Sequence, residues 1–216
     1  VYDGAEAMTA VAAMSNINFE SGTVNIKCAN GYSIHTTYDV NVWGTAVVNI
    51  DHQADSEAVY VNGTLNVSDR GQNAIKANTL NVSGGKLVAN TPGAQGKALS
   101  IGYQLNISGG EVSLDAAHDY AVYADSSVNI SGGSLNAYSG GVTSENYAIY
   151  AGVYADYGVN ITGGVVKIEA KSDYTVAAGG EDVNIHDCVF SSTAKAVARS
   201  EEGKVNINNC WLDCSS

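Results

Sequence analysis

The chain has 216 residues, among them 24 glycines, 13 tyrosines and a single proline, and its apolar content of 45% excludes an intrinsically disordered chain. Its 22 acidic and 10 basic residues give a net charge of −12, so few cations could neutralise phosphates, and we expect no nucleic-acid partner. No segment approaches the ~18 consecutive apolar residues that span a bilayer, so we also expect no membrane insertion.

A triplet of an apolar residue, an asparagine and a second apolar residue recurs along the chain. Its central residues are Asn18, Asn41, Asn66, Asn81, Asn106, Asn129, Asn160, Asn184 and Asn206. Six of the eight intervals between them are 22–25 residues long, which indicates one repeated unit rather than two domains. Alternation with a period of two residues predicts a strand whose Val, Leu or Ile side chains point inward and whose Asn points outward.

Two further strands follow each triplet in the predicted unit. A turn such as Ser108-Gly109-Gly110 comes first, since paired glycines permit the positive φ of a sharp corner. The second strand has inward residues six and eight positions after the Asn, shifted by one to Val48 and Ile50 in the Asn41 unit. The third strands are predicted over residues 57–61, 73–77, 97–101, 120–124 and 195–199. The 15-residue interval before Asn81 lacks a second strand, which predicts a gap in one face.

Three short strands in about 23 residues predict an all-β fold, a single-stranded right-handed parallel β-helix (solenoid) of about 8–9 coils of 22–25 residues. We expect one domain over residues 1–216, a segment of a longer surface protein. Residues 9–14 match the third-strand pattern, although Ala, Glu and Met also favour a capping helix over residues 5–14. Uncapped ends would favour end-to-end self-association.

The asparagine row has two interpretations. Asn106, Asn129 and Asn160 each begin a formal glycosylation sequon. Because an Asn occurs in nearly every coil, we instead predict hydrogen bonds from amide to amide along the stack.

Three sequence runs carry a family resemblance: VNGTLNVS at residues 61–68, NAIKA at 73–77 and LNVSGG at 80–85. With them the chain resembles the small right-handed β-helix carbohydrate-binding proteins of plant-fibre-degrading bacteria, over roughly residues 57–210. The resemblance implies a secreted or bacterial cell-surface protein that binds calcium and a pectin-type, acidic plant cell-wall polysaccharide without cleaving it.

The outward side of the third strands is the predicted binding surface, with a central column of His35, Tyr60, Lys76, Ser100, Tyr123, Tyr154 and Ala177. The sequence VYAD at residues 122–125 recurs identically at residues 153–156, which predicts a third strand at 153–155 and a bulging loop at 143–150. Sugar rings stack on aromatic rings, so the predicted carbohydrate-binding residues are Tyr120, Tyr123, Tyr147, Tyr150, Tyr154 and Tyr157. Alternatively, stacked tyrosines merely stabilise the sheet of a rigid stalk or adhesin segment that binds no glycan.

Carboxylates recur beside these tyrosines. Asp125 and Asp156 are predicted to stack one coil apart, where their charges repel unless a cation such as calcium intervenes. Asp119 and Asp173 form a second candidate pair, and solvated loop carboxylates are the alternative for both.

The cysteines and the basic residues complete the sequence predictions. Cys188 and Cys210 follow their triplet asparagines by four residues and should stack in adjacent coils, either as free thiols or as a disulfide. The chain has only two arginines, Arg70 and Arg199, and its four histidines stand singly, so we expect no polysaccharide lyase or hydrolase activity.

Overall fold

A computed structural model describes residues 11–15, 17–27, 34–35, 39–42, 47–51, 54–55, 58–61, 64–68, 75–91, 96–141 and 151–214. These residues form β-strands and no helix. The strands are β1 (Val11–Ala12), β2 (Ile17–Phe19), β3 (Thr23–Lys27), β4 (Ile34–His35), β5 (Asp39–Val42), β6 (Val47–Asp51), β7 (Ala54–Asp55), β8 (Ala58–Val61), β9 (Thr64–Ser68), β10 (Ile75–Thr91), β11 (Leu99–Ala116), β12 (Val122–Ala124), β13 (Ser127–Ile130), β14 (Ser134–Ser139), β15 (Ala151–Ala155), β16 (Val159–Ile161), β17 (Val165–Ala170), β18 (Tyr174–Ala178), β19 (Val183–His186), β20 (Val189–Ser192), β21 (Ala196–Ser200), β22 (Val205–Asn208) and β23 (Trp211–Asp213).

Equivalent strand segments of successive coils pair in parallel and build three rows. The triplet row contains residues 17–19, 40–42, 59–61, 80–82, 105–107, 128–130, 159–161, 183–185 and 205–207. The second row contains residues 24–26, 48–50, 65–67, 87–89, 112–114, 135–137, 166–168, 190–192 and 212–213. The third row contains residues 54–55, 75–77, 99–101, 122–124, 153–155, 176–178 and 198–200, and β1 pairs with β4 in a separate sheet.

This arrangement is a parallel β-solenoid, which confirms the predicted fold class. About five turns lie in the nearly continuous stretch from residue 75 to residue 214, so the coil count differs from the 8–9 predicted, and the shorter strands before that stretch extend the rows. The turns are less uniform than the 22–25 residues predicted, because Asn41, Tyr60 and Asn81 are register equivalents separated by only 19 and 21 residues. The right-handed winding stays a prediction from strand chirality.

One predicted triplet is wrong. Residues 65–67 belong to the second row, because Leu65 pairs with Val48 on one side and Leu87 on the other. Val59 and Val61 flank the triplet position of that coil instead, with Tyr60 where the other coils have Asn.

This correction removes the predicted gap and moves a predicted third strand. Residues 57–61 are not a third strand, since β8 lies in the triplet row and β7 supplies the third-row segment of its coil. The error has a physical cause: all three strands of a coil alternate apolar and polar residues, so the pattern identifies a strand without identifying its row.

The apolar residues that flank the Asn positions fill the interior, as predicted. Those that are at most 1% exposed are Leu80, Val82, Leu105, Ile107, Val128, Ile130, Val159, Ile161, Val183 and Ile185. Their equivalents in the last described coil, Val205 and Ile207, are 42% and 38% exposed, because only one neighbouring coil covers them. Burial in this core therefore comes from contacts between coils.

The corner after each triplet explains the paired glycines. Gly110, Gly133 and Gly164 have φ of 77°, 72° and 81°, in the left-handed region that favours glycine. A Cβ built on any of the three would lie 2.6–2.7 Å from backbone atoms of the preceding coil. Glycine is thus required twice over at this corner, by the backbone conformation and by the close approach of successive coils.

The asparagines form a ladder of amide hydrogen bonds, which confirms the structural interpretation. Each Nδ2 donates to the Oδ1 of the asparagine one coil earlier, with distances of 2.9, 3.0, 3.1, 2.9 and 2.9 Å. The ladder runs through Asn81, Asn106, Asn129, Asn160, Asn184 and Asn206. Each amide therefore replaces water with a partner supplied by the neighbouring coil.

Two observations concern the N-terminus and membranes. Val11 and Ala12 form a strand and pair with Ile34 and His35, as the third-strand pattern predicts, while residues 5–10 of the rival helix lie outside the described residues. Within the described part of the chain, no helix is long and apolar enough to cross a bilayer.

Adjacent valines of β17 test the core directly. Val166 is 1% exposed and Val165 is 52% exposed. We expect Val166→Ala to lower the free energy of unfolding by about 2 kcal/mol, because it removes buried methyl groups and leaves a cavity. The matched change Val165→Ala should cost less than about 1 kcal/mol. Urea unfolding measures both, and equal losses would contradict the assigned inward face.

The ladder is tested at its middle. Asn129→Ala leaves the Oδ1 of Asn106 and the Nδ2 of Asn160 without their partners, so we expect a loss of about 1–2 kcal/mol in unfolding free energy. The exposed Asn136 on the second row is the control, and its alanine variant should be nearly neutral. A neutral Asn129→Ala variant would contradict a stabilising ladder.

Candidate functional site

The outward column of the third row differs from the predicted one at two positions. Tyr123 and Tyr154 are register partners, which confirms the predicted strand at 153–155. Asp55, not Tyr60, pairs with Lys76, and His35 pairs with Ala12 in the separate two-stranded sheet. The column thus continues from Lys76 through Ser100, Tyr123, Tyr154, Ala177 and Arg199.

Tyr123 and Tyr154 stack on each other, and Tyr120 supports them from below. The ring centroids of Tyr123 and Tyr154 are 5.4 Å apart with an interplanar angle of 29°. The Tyr120 ring lies 5.6 Å from Tyr123 and 5.8 Å from Tyr154, and is 1% exposed beside the buried Ala151 and Ala177. Tyr120 therefore packs beneath the pair, and its buried ring presents no face to a ligand.

Of the other predicted tyrosines, only Tyr157 lies within the described residues. Tyr147 and Tyr150 fall in residues 142–150, outside that part of the chain, as does the predicted bulging loop. Tyr157 is 55% exposed at the corner between β15 and β16. It follows Tyr154 by three residues and has an accessible ring.

Sequence reasoning missed Tyr103. It is 53% exposed and lies two residues after the third-row segment that ends at Ile101, as Tyr157 lies two residues after Ala155. The two tyrosines therefore occupy the same corner two coils apart, with Ser126 between them. We call this surface the Tyr103–Tyr157 corner. Its equal spacing from the third strand is the sequence signal that points to it, although the central column of that coil contains Ser100 instead of a tyrosine.

Asp125 and Asp156 stack between the two groups of tyrosines, at the position predicted for them. They follow the register partners Ala124 and Ala155, and the backbone N–H of Asp156 donates to the carbonyl of Ala124 at 2.8 Å. The Tyr123 hydroxyl donates to Oδ1 of Asp156 at 3.3 Å. Asp125 is exposed and Asp156 half-buried, so both carboxylates reach the surface.

Burial and the neighbouring carboxylates keep both stacked phenols protonated. Burial, followed by the negative charge of Asp156 and its hydrogen bond, raises the pKa of Tyr154 to about 12. Burial and then the charges of Asp156 and Asp125 raise the pKa of Tyr123 further above its ordinary value. The pair is therefore a neutral hydrogen-bond donor at ordinary pH.

Cations border the stacked pair. Nζ of Lys97 lies 5.1 Å from the Tyr123 ring centroid and 3.8 Å from the carboxylate of Asp119. On the far side, the guanidinium of Arg199 lies 5.3 Å from the ring centroid of Tyr174 and donates to its hydroxyl at 3.3 Å. These contacts are cation–π interactions that fix the edges of the aromatic surface.

The second predicted carboxylate pair is engaged with lysines. Asp119 faces Lys97, and Asp173 accepts a hydrogen bond from Lys195 at 2.6 Å. Each carboxylate therefore has a cation of its own.

The described carboxylates supply part of a donor set for calcium. Calcium takes six to eight oxygen ligands, and Asp125 and Asp156 provide carboxylates of the right chemical class. Among the described residues, no group of three or more His, Cys, Asp or Glu side chains is placed to hold a metal. Calcium at this position stays a prediction.

Comparison of the chain with known protein families, curated proteins and solved structures finds no significant match. The resemblance to β-helix carbohydrate-binding proteins therefore rests on the sequence runs themselves and stays a prediction.

Alkaline titration tests the environment of Tyr154. Its raised pKa means that it adds stability below the ordinary phenol value near 10, and that this stability is lost as the pH rises through about 12. Asp156→Asn removes a negative charge, so the ionisation of Tyr154 should move to lower pH. The ionisation is followed by phenolate absorbance, and a Tyr154→Phe variant, which lacks this phenol, is the reference. Asp125→Asn, the control, should move it less. An unchanged titration in Asp156→Asn would contradict the assigned contact.

Proposed function

We propose that this protein binds a polysaccharide along the Tyr103–Tyr157 corner and does not cleave it. The observation that carries the proposal is the pair of tyrosine rings, 53% and 55% exposed, at equivalent positions two coils apart. Coil spacing places them roughly 10 Å from each other along the rod. Such spacing suits a linear, repeating ligand that runs parallel to the axis.

The chemistry of the corner suits sugars. The apolar faces of sugar rings stack on exposed aromatic rings, and their hydroxyls need nearby acceptors. Asp125 and Asp156 supply carboxylate acceptors at the same level of the stack as Ser126 and Tyr157. The corner therefore combines aromatic contact and hydrogen bonding within one short stretch of surface.

The stacked Tyr123–Tyr154 pair adds rigidity rather than a second ring face. Each ring partly covers the other at 5.4 Å, and Asp156 accepts the hydrogen bond of the Tyr123 hydroxyl. A ligand that contacts the edges of this pair meets side chains that are already ordered. Preordered side chains lose little conformational entropy on binding, which favours affinity.

Charge directs the choice of polysaccharide and cation. The net charge of −12 and the carboxylates of Asp125 and Asp156 repel an acidic polysaccharide unless a cation lies between them. The sequence resemblance implies an acidic, plant cell-wall type polysaccharide, so the specific form of the proposal is that such a ligand binds together with calcium at this pair. A secreted or cell-surface location would give access to such a ligand.

A rigid stalk or adhesin segment is the second candidate. The ladder of six asparagines and the continuous core favour it, because both extend through successive coils and stiffen the rod. Catalysis gains no support from His186, whose contact among the described residues is with Asp187 at the corner after β19 rather than with Asp125 or Asp156. General acid–base chemistry would need these groups to converge.

Affinity electrophoresis in gels that contain single polysaccharides tests the corner. We expect retardation with an acidic polysaccharide, and a loss of about tenfold in affinity for Tyr157→Ala and for Tyr103→Ala, since each removes one stacking contact of about 1.4 kcal/mol. The double variant should show no retardation.

Trp211→Ala is the control for non-specific aromatic binding. Trp211 is 72% exposed on the second row, away from the corner, so its loss should leave the retardation unchanged. Retardation that survives in the double tyrosine variant, or that depends on Trp211, would contradict the proposed site. Absence of retardation with every polysaccharide would favour the stalk.

Calcium is tested by thermal unfolding. With millimolar calcium and polysaccharide present, we expect a chelator to lower the Tm of the protein. In a variant with both Asp125→Asn and Asp156→Asn, the chelator should leave the Tm unchanged. Glu111→Gln, an exposed carboxylate that pairs with Lys86, is the control. A Tm that does not respond to the chelator would remove calcium from the proposal and leave the tyrosine corner in place.

A further inference from the structure

Two thiols stack in the last coils of the described chain. Cys188 and Cys210 lie between the register pairs His186–Asn208 and Val189–Trp211, and their Sγ atoms are 3.5 Å apart. Both are free thiols, Cys188 6% exposed and Cys210 half-buried. The predicted stacking of the two cysteines is therefore confirmed.

A change in the corner makes room for these side chains. In the earlier coils the left-handed residue is the second glycine, such as Gly164, where no Cβ fits. In the last two coils the left-handed residue lies one position earlier, at Asp187 (φ 54°) and Asn209 (φ 48°). The next position is thereby freed from the glycine requirement, and Cys188 joins the hydrophobic core there, with Cys210 packed against it.

The polar side of the same corner links the two coils as well. The Asn209 amide donates to the carboxylate of Asp187, whose other oxygen lies 2.9 Å from Nδ1 of His186. Asp187 and Asn209 thus pair outside the backbone while the cysteines pair inside it. The corner holds the two coils in register from both sides, with a dithiol at its centre.

We propose that Cys188 and Cys210 are a reversible cross-linking site that forms a disulfide by exchange with a small-molecule disulfide such as oxidised glutathione. The thiolate of Cys210 attacks one glutathione sulfur, which releases a glutathione thiolate and leaves a mixed disulfide on Cys210. The thiolate of Cys188 then attacks the Cys210 sulfur and displaces the second glutathione thiolate. Two protein thiols are oxidised, one disulfide is reduced, and the two protons pass to solvent or the released thiolates.

Burial and backbone position decide the order of these steps. Cys210 is the more accessible sulfur, and it approaches the carbonyl oxygens of Asn208 and Ile185 at 3.0 and 3.3 Å. Burial, together with the hydrogen bond to Cys210, raises the pKa of the Cys188 thiol to about 12. Cys188 is thus the slower nucleophile and attacks second. Its low reactivity is offset by proximity, because its sulfur lies only 3.5 Å from the sulfur of Cys210.

The backbone spacing permits the bond. Cα atoms of residues stacked in adjacent strands are about 4.8 Å apart, within the range of about 4.4–6.8 Å that disulfides span. The two sulfurs need to approach by roughly 1.5 Å, which rotation about the side-chain torsions can supply.

The cross-link would act on the last described coil. Val205, Ile207 and Leu212 are 38–42% exposed, whereas their equivalents one coil earlier are buried. A covalent bond from Cys210 to Cys188 joins this coil to its neighbour and closes a loop of about 22 residues in the unfolded chain. Oxidation should therefore stabilise this coil against opening, independently of any glycan.

The test uses a Cys28→Ser/Cys214→Ser variant, which retains only the proposed pair. After incubation with oxidised glutathione, we expect peptide mapping under non-reducing conditions to show Cys188 linked to Cys210, with no glutathione retained. The oxidised form should unfold about 5–10 °C above the reduced form, and dithiothreitol should reverse the shift.

Single substitutions separate the two roles. Cys188→Ser should accumulate the mixed disulfide on Cys210, and Cys210→Ser should react slowly or not at all. Three outcomes in the Cys28→Ser/Cys214→Ser variant would overturn the proposal. They are two thiols that stay free, a stable glutathione adduct on Cys210 with Cys188 intact, and a link between two molecules. A Cys188–Cys210 bond without a rise in Tm would overturn its stabilising role.

Discussion

The pairing of each coil with the next, in parallel and in register, is the interaction on which the rest of the structure depends. Because backbone hydrogen bonds run along the rod, a side chain is placed over the equivalent side chain of the preceding coil. The buried Val, Leu and Ile columns, the asparagine ladder, the stacked pair of tyrosines and the adjacent thiols all follow from this one alignment. A shift of one residue in the pairing between coils would exchange the apolar and polar faces. Burial of the apolar residues and pairing of the asparagine amides therefore both stabilise the same register.

Much of this architecture could be predicted from the sequence, because the same residue pattern recurs in several repeats and each copy supports the same interpretation. The Asn triplets, the glycine corners and the flanking apolar residues were recognisable as strands and turns on that ground. The row to which each strand belongs could not be predicted. Residues 59–61 and 65–67 have the same alternation of apolar and polar residues, and only pairing with neighbouring coils distinguishes them. In the short coil around Tyr60, a tyrosine occupies the position of the triplet Asn. The spacing of Asn triplets therefore gave a wrong prediction for that coil.

The candidate site shows the same division between what a sequence contains and what packing decides. The identical runs at 122–125 and 153–156 sufficed to stack Tyr123 on Tyr154 and to place Asp125 beside Asp156. The burial of Tyr120 could not be read from its position, because it depends on rings contributed by two coils. Tyr103 gained its importance only when the corner it shares with Tyr157 was located. Exposure, rather than the number of tyrosines, is the basis for the proposed binding surface.

Distances between spin labels on one column test the stacking of coils most directly. With the four cysteines replaced by serine, labels are placed at Lys86 and Val189, four coil steps apart, and at Lys86 and Trp211, five steps apart. Stacked coils predict backbone separations of roughly 19 and 24 Å, so that the measured distance grows by about 5 Å for one further coil. Equal distances, or a longer separation for Val189 than for Trp211, would contradict the stacking.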